Sequence, residues 1–316
     1  MSAEKPVAAP HRPSAGYPPA LAEGLLPIRE VARVTGVNPV TLRAWERRYG
    51  LIVPQRTAKG HRLYSAEQVA RIQAILAWLE RGVAVSQVRG LLRSAQPAST
   101  QTTSQWQQTR EELLQAIGKL AERRLDDCFN RELALYPAHT LCQHLLLPLF
   151  DELQLRWRKQ FGAQTERVFF YSWLRSKLGA RLYHNNRQHH GAPLLLVNLS
   201  ELPMEPGLWL SAWLASSADC PVQVFDWPIP PAELALAIEQ IRPRALLLYS
   251  NQALNTAQLP RWLTGHHCPC LIIGATVCIR RTELHVLTTQ NNAVHMAEGP
   301  LEALATLTRL GLLDRT

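Results

Sequence analysis

The apolar positions of this chain change period partway along. From residue 27 to about 190 they recur mostly every three or four residues, the spacing of helices with one buried face. After Gly191 they gather into short unbroken runs separated by helical stretches. Residues 27–35 predict a short helix, Gly36-Val37 a tight turn, and Asn38 with Pro39 the start of a second helix, as cap and first helical residue. In that second helix Leu42, Trp45 and Tyr49 form an apolar stripe, while Arg43, Arg47 and Arg48 project elsewhere. Helix, glycine turn, helix is the helix-turn-helix pattern. Residues 51–64 hold two short extended runs around Lys59-Gly60, which suits a β-hairpin wing. Ser65 and Gln68 form a capping box for a helix over 66–81, with Val69, Ile72, Ile75, Leu76 and Leu79 as its buried stripe. Gly82 stops it, and 85–94 forms another short helix.

The pattern divides the chain into a Pro- and Ala-rich flexible tail (1–26), a winged helix-turn-helix (27–95) and a small polar linker (96–105). A bundle of about four helices follows over 106–190, with helical periodicity at 106–124, 125–135, 137–158 and 165–190. From 191 to 316, strands at 193–198, 221–226, 244–249 and 270–274, with a fifth around 284–288, alternate with helices at 207–217, 231–241, 255–264 and 300–310. That alternation implies an open parallel sheet of flavodoxin-like type. The fold class is therefore multidomain: an all-α winged helix-turn-helix, a helical bundle, then an α/β domain.

Charge sharpens the picture. The net charge is +9, yet residues 28–95 alone hold 12 Lys and Arg against 4 Asp and Glu, and beyond 95 the two signs nearly balance at 20 and 19. A compact cationic module on a neutral body fits a polyanion partner. A short helix with an apolar back and an arginine front suits the major groove of DNA. Thr41, Arg43, Arg47 and Arg48 are the candidate contacts on that helix, and Arg56, Lys59, His61, Arg62 and Tyr64 those of the wing. Any single arginine could instead pair with Glu30 or Glu46, and Tyr64 divides evenly between contact and core. Trp45 and Leu42 read as core.

No apolar run approaches the ~20 residues that span a bilayer, and the N-terminus has no signal core, so a cytoplasmic location without a membrane partner is expected. The six cysteines form no CxxC pair. Cys268 and Cys270 with His266 and His267 lack a second ligand pair at metal spacing, so buried reduced thiols and no metal are expected. His189-His190 reads as a solvated turn, and Trp209 and Trp213 as a packing face, with Trp227 a candidate pocket wall.

The segment 27–93 resembles the MerR family of winged-helix regulators. The residues that carry the likeness are Ile28-x-Glu30-Val31-Ala32, the run from Thr41 to Leu51 with Trp45-Glu46-Arg47-Arg48-Tyr49-Gly50, Pro54-x-Arg56, and Gly60-His61-Arg62-x-Tyr64. The variant is similar to the branch that holds the curli-controlling MlrA regulators and the cobalamin photoreceptor repressors of CarH/LitR type. The order of the later domains also matches that branch. The resemblance implies no enzyme but a transcriptional regulator, more often a repressor. It would bind double-stranded promoter DNA as a homodimer or higher homo-oligomer and act on RNA polymerase indirectly. Its C-terminal region would dimerise and receive a signal or a partner, an anti-repressor protein being one candidate.

Departures from the photoreceptor pattern bear on the cofactor. There a bundle Trp is followed by a Glu-His pair over the upper face of cobalamin; here Trp157 stands, with Arg167 and Val168 at the positions of the pair. There an Asp/Glu-x-His-x-x-Gly loop ligates cobalt from below; here Gly207 remains, and the histidine position holds Met204. A thioether is a far poorer ligand than imidazole for Co(III). Gly274-Ala275 stands where two glycines are usual near the nucleotide tail. No cofactor is therefore expected at these degenerate positions. The rival readings are a cobalamin-dependent light-sensing repressor, an altered cobalamin mode, another small ligand, and a corrinoid enzyme or carrier.

Overall fold

A computed structural model describes residues 24–92, 102–158, 161–202, 204–254, 259–263, 268–291 and 293–313. The head opens with a two-residue strand, β1 (Leu26–Pro27), then α1 (Ile28–Thr35) and α2 (Pro39–Ala44), which runs on into a π-helical turn, Trp45–Tyr49. Asn38 caps α2 by accepting the Val40 N–H at 2.8 Å, with Pro39 in its first turn. The wing is β2 (Gln55–Arg56) and β3 (Arg62–Tyr64), antiparallel as expected. β1 adds a third strand beside β3, so the expected tail ends in ordered structure at Leu26; residues 1–23 lie outside the described ones. Ser65 and Gln68 form the capping box of α3 (Ala66–Glu80), and α4 (Val85–Leu91) follows.

The bundle comprises α5 (Thr102–Gly118), α6 (Glu122–Leu133), α7 (Ala138–Leu141), α8 (Leu147–Trp157) and α9 (Ala163–Asn186). A second π-helical turn, Cys142–Leu146, joins α7 to α8. The segment expected over 137–158 is α7, the π turn and α8 in continuous succession, so the five helices fall in the four expected segments; the first begins at Thr102 and so takes the end of the expected linker. The rest of the expected linker, 96–101, and the end of the helix expected over 85–94 lie outside the described residues.

The last unit alternates β4 (Leu194–Asn198), α10 (Pro206–Ser217), β5 (Val222–Phe225), α11 (Pro231–Ile241), β6 (Ala245–Tyr249), α12 (Leu259–Leu263) and β7 (Cys270–Ile273). Then come α13 (Thr276–Ile279), α14 (Arg281–Gln290), β8 (Val294–Ala297) and α15 (Pro300–Arg309). All five strands are parallel, in the order β5-β4-β6-β7-β8. The fifth strand is 294–297; the run 284–288, expected as a strand, lies in α14. Leu284 and Leu287 pack on the sheet at helical spacing, which a two-residue strand period would not allow.

Both faces of the sheet are covered, as its uninterrupted apolar strands require. Leu195, Val197, Leu246 and Leu248 face one core with α11, α12 and α14. Leu194, Leu196 and Leu247 face the other, which continues through α10 and the bundle into the head. Helix α10 is buried along nearly its whole length, which explains why PGLWLSAWLASS carries no charge.

Candidate nucleic-acid interface and C-terminal cleft

On the head, Trp45 and Leu42 are fully buried, while Arg43, Arg47 and Arg48 are exposed and, among the described residues, unpaired. The apolar back and cationic front of α2 are thus real faces. Lys59 is exposed at the wing tip, where the chain reverses through Thr57 and Gly60. His61 is exposed beside it, its N–H donating to the Thr57 hydroxyl at 3.1 Å.

Arg56 and Arg62 are not free. Arg56 donates to Glu46 Oε1 at 2.8 Å, and Arg62 Nε donates to Glu46 Oε2. One carboxylate on the helix therefore ties down both strands of the wing. Burial pushes the Glu46 carboxyl up, but hydrogen bonds and charge from Arg62 and Arg56 outweigh it and hold the pKa below the usual range. Glu30 pairs instead with Arg33, at 3.0 Å. Thr41 and Tyr64 are placed in the interior, at 1% and 0% exposure, so neither offers a surface to a duplex in this conformation. Tyr64 packs in the main core, where burial raises its phenol to about 12, and its hydroxyl has no hydrogen-bond partner.

The second feature is a cleft of about 840 Å³ between the bundle and the carboxyl ends of the strands. Phe150, Gln154 and Trp157 of α8 and Arg167 and Tyr171 of α9 line one side. Met204, Glu205, Gly207, Tyr249 and Asn251 line the other, and Gly299–Glu302 close one edge. Open α/β sheets offer ligand crevices at this end.

Polar contacts around the cleft are specific. Trp157 Nε1 donates to Glu166 Oε2 at 3.1 Å, and Arg156 donates to Glu166 Oε1 at 2.8 Å. Asn251 Nδ2 donates to Glu205 Oε2 at 2.9 Å, and the Tyr249 hydroxyl donates to Asn251 Oδ1 at 3.2 Å. Glu205 is 2% exposed and its Oε1 lacks a partner. Burial raises its carboxyl above the ordinary value, against hydrogen bonds from Ser200 and Asn251 and the charge of Arg167. A Cβ built on Gly207 would lie 2.6 Å from Tyr249 Cζ, so the Tyr249 ring occupies the space over that glycine. The Arg167 guanidinium lies 5.6 Å above the Tyr171 ring. Val168 is exposed and does not line the cleft.

Comparison with known proteins bears on both sites. The family model for the MerR HTH family regulatory protein matches residues 26–95. The HTH-type transcriptional regulator MlrA of Escherichia coli (strain K12) is 33% identical over 251 residues, covering 77% of this chain and 96% of that one. The chain belongs to the MerR family of transcriptional regulators. MlrA of Salmonella typhimurium (strain SL1344) is 32% identical over 74% of this chain and 91% of its own length. The HTH-type transcriptional repressor CarH of Myxococcus xanthus is 26% identical over 71% and 78%. The B12 binding domain model matches residues 109–182 of this MerR-family regulator, the helical bundle.

In this regulator the structure brings together Arg43, Arg47, Arg48, Lys59 and His61 as exposed groups of one head, withdraws Thr41 and Tyr64, and ties Arg56 and Arg62 to Glu46. Glu46 was visible in sequence only as one of two partners an arginine could choose. The Glu205–Asn251–Tyr249 chain had no signal, because its members are 44 to 46 residues apart or lie at a strand end. Cys128, Cys142, Cys220 and Cys270 are buried thiols outside any disulfide, whereas Cys268 is half-buried and Cys278, expected buried, is exposed on the short helix α13; among the described residues no cluster of His, Cys, Asp and Glu could hold a metal. His266 and His267 lie outside the described residues. His189 bonds the Ser216 carbonyl at 3.0 Å rather than standing free in solvent, and Trp227 is 71% exposed. Among the described residues no helix is long and apolar enough to cross a membrane.

Proposed function

We propose that this regulator is a repressor that reads promoter DNA as a symmetric dimer, with the exposed face of α2 in the major groove and the wing alongside. The observation that carries this is the unpaired arginine face of Arg43, Arg47 and Arg48, set on a helix whose opposite side is core. Arginine serves both phosphates and guanine edges. Lys59 and His61 then approach the backbone beside the groove. Arg56 and Arg62 act through the wing, which Glu46 holds in register with α2. The repressor sign is supported by the photoreceptor-like domain order. A fluorescence-anisotropy titration on a promoter fragment tests the interface. Arg43→Ala should weaken binding by on the order of 1–3 kcal/mol with little loss of fold. Wild-type affinity in Arg43→Ala would remove α2 from the interface.

The signal reaches the C-terminal region. Its cleft does not fit histidine-ligated cobalamin: the lining side chains include no imidazole, Met204 presents a thioether, and Tyr249 fills the space over Gly207. An anti-repressor protein docking on the bundle or the α/β unit accounts better for a retained fold without that ligand set. Release of DNA by a small molecule alone, with no partner protein, would count against it.

A further inference from the structure

Head and bundle meet at a seam in which the DNA-reading helix itself takes part. The Trp45 indole N–H donates to the Leu135 carbonyl at 2.9 Å, across 90 residues of sequence. Beside it, the Tyr136 hydroxyl accepts the Val85 N–H at 3.2 Å, and the Trp106 indole N–H donates to the Gly82 carbonyl at 2.8 Å. His144 Nε2 lies 3.0 Å from the Glu80 carbonyl oxygen. The Trp106 ring packs on both Tyr136 and His144, with centroids 4.6 and 5.8 Å away.

Both π-helical turns among the described residues lie at this seam. One begins at Trp45 and the other contains His144. Such turns are rare and concentrate at functional positions, because they shift the phase of a helix to satisfy something outside it. Trp45 is fully buried while Arg47 and Arg48, in the same turn, are exposed. Through the second π turn, α7 continues into α8, whose later turns line the cleft. From His144 to Trp157 is about 20 Å of helix. A single helical path thus touches the head at one end and the cleft at the other.

We propose that Trp45 is a positioning residue for DNA reading: its bond to Leu135 fixes the tilt of α2 on the bundle, so bundle packing is read out as DNA affinity. The proposal rests on α2 being the helix that contacts DNA. Trp45 touches no DNA in this arrangement; it orients the arginines that do.

The test uses the full chain with Trp45→Phe, which keeps an aromatic ring and deletes the N–H. Operator affinity should fall on the order of tenfold while the protein stays folded at the assay temperature. Amides of residues 40–49 should exchange faster with solvent. Tyr136→Phe should give a similar loss, and the double variant should fall short of the product of the two losses, since they share one seam. Wild-type affinity in Trp45→Phe, or a loss that only follows the unfolded fraction, would overturn the proposal. If Trp45→Phe fails to fold, Tyr136→Phe carries the same decision. If Arg43→Ala also binds as wild type, the failure belongs to the placement of α2. If only Arg43→Ala weakens binding, the positioning role alone is lost.

Discussion

Glu46 ties the helix that carries Arg43, Arg47 and Arg48 to both strands of the wing, and its chemistry has a pH signature. Its carboxyl titrates below the ordinary range in the folded chain because Arg62 and Arg56 surround it. A lowered folded pKa means that the unfolded chain binds the proton more readily. The stabilisation is therefore full above the unfolded carboxylate value of about 4.3 and is lost as pH falls through the lower folded value. Glu46→Gln should lower stability at neutral pH by on the order of 1 kcal/mol, since the pairs are partly exposed. The gap between wild type and variant, followed by urea unfolding, should close below about pH 4. A gap that stays constant down to pH 3 would show that Glu46 acts through shape rather than charge. Thr41 and Tyr64 mark the limit of reading single residues. Both are polar and both stand in a motif associated with DNA, yet the turn that places Arg43 outward turns Thr41 inward. A helical wheel drawn from Leu42, Trp45 and Tyr49 leaves Thr41 at the edge of the stripe, where sequence alone cannot assign a side.

At the scale of elements, capping chemistry made boundaries legible. Asn38, Pro39, Ser65 and Gln68 each form the local contact their type predicts, and the helices start where those residues stand. Elements without such punctuation were harder. The run 284–288 has enough β-branched and apolar character to pass for a strand, but β7 needs a parallel neighbour and 294–297 supplies it. The π turns at Trp45 and Cys142 have no sequence signal; each holds a residue that bonds across the seam, Trp45 to Leu135 and His144 to Glu80. Gly207 is a case where sequence pointed to a position and packing explains it. Helix α10 begins beneath the Tyr249 ring, and only a hydrogen fits there. Gly207→Ala should destabilise the fold by about 1–3 kcal/mol through overpacking. Adding Tyr249→Ala should relieve much of that strain, so the double variant should lose less than the sum of the singles in thermal unfolding. Strict additivity would mean that the ring moves aside without cost.

The whole molecule joins a cationic head to a nearly neutral body, and the cleft in that body is lined by Met204, Arg167 and Tyr249 and by no histidine. Three lining side chains bear on a corrin: Met204, Arg167 and Tyr249. Each acts differently. Met204 offers a soft thioether, which Co(III) binds far more poorly than imidazole. Arg167 brings a cation to the bundle side of the cleft, where it is already engaged with the Tyr171 ring. Tyr249 takes space, hydrogen-bonded through Asn251 to a buried Glu205. Because the causes are ligation, charge and volume, repairing one does not repair the others. The purified chain, incubated with adenosylcobalamin in the dark and desalted, should retain no corrin absorbance. Met204→His should behave the same way, although it restores the imidazole. Retention by wild type would show that the cleft accepts the corrin without histidine ligation, and retention by Met204→His alone would show that ligation was the only barrier. In the first case light should then change the affinity of the DNA complex, the effect being carried along the helical path from the cleft to the head.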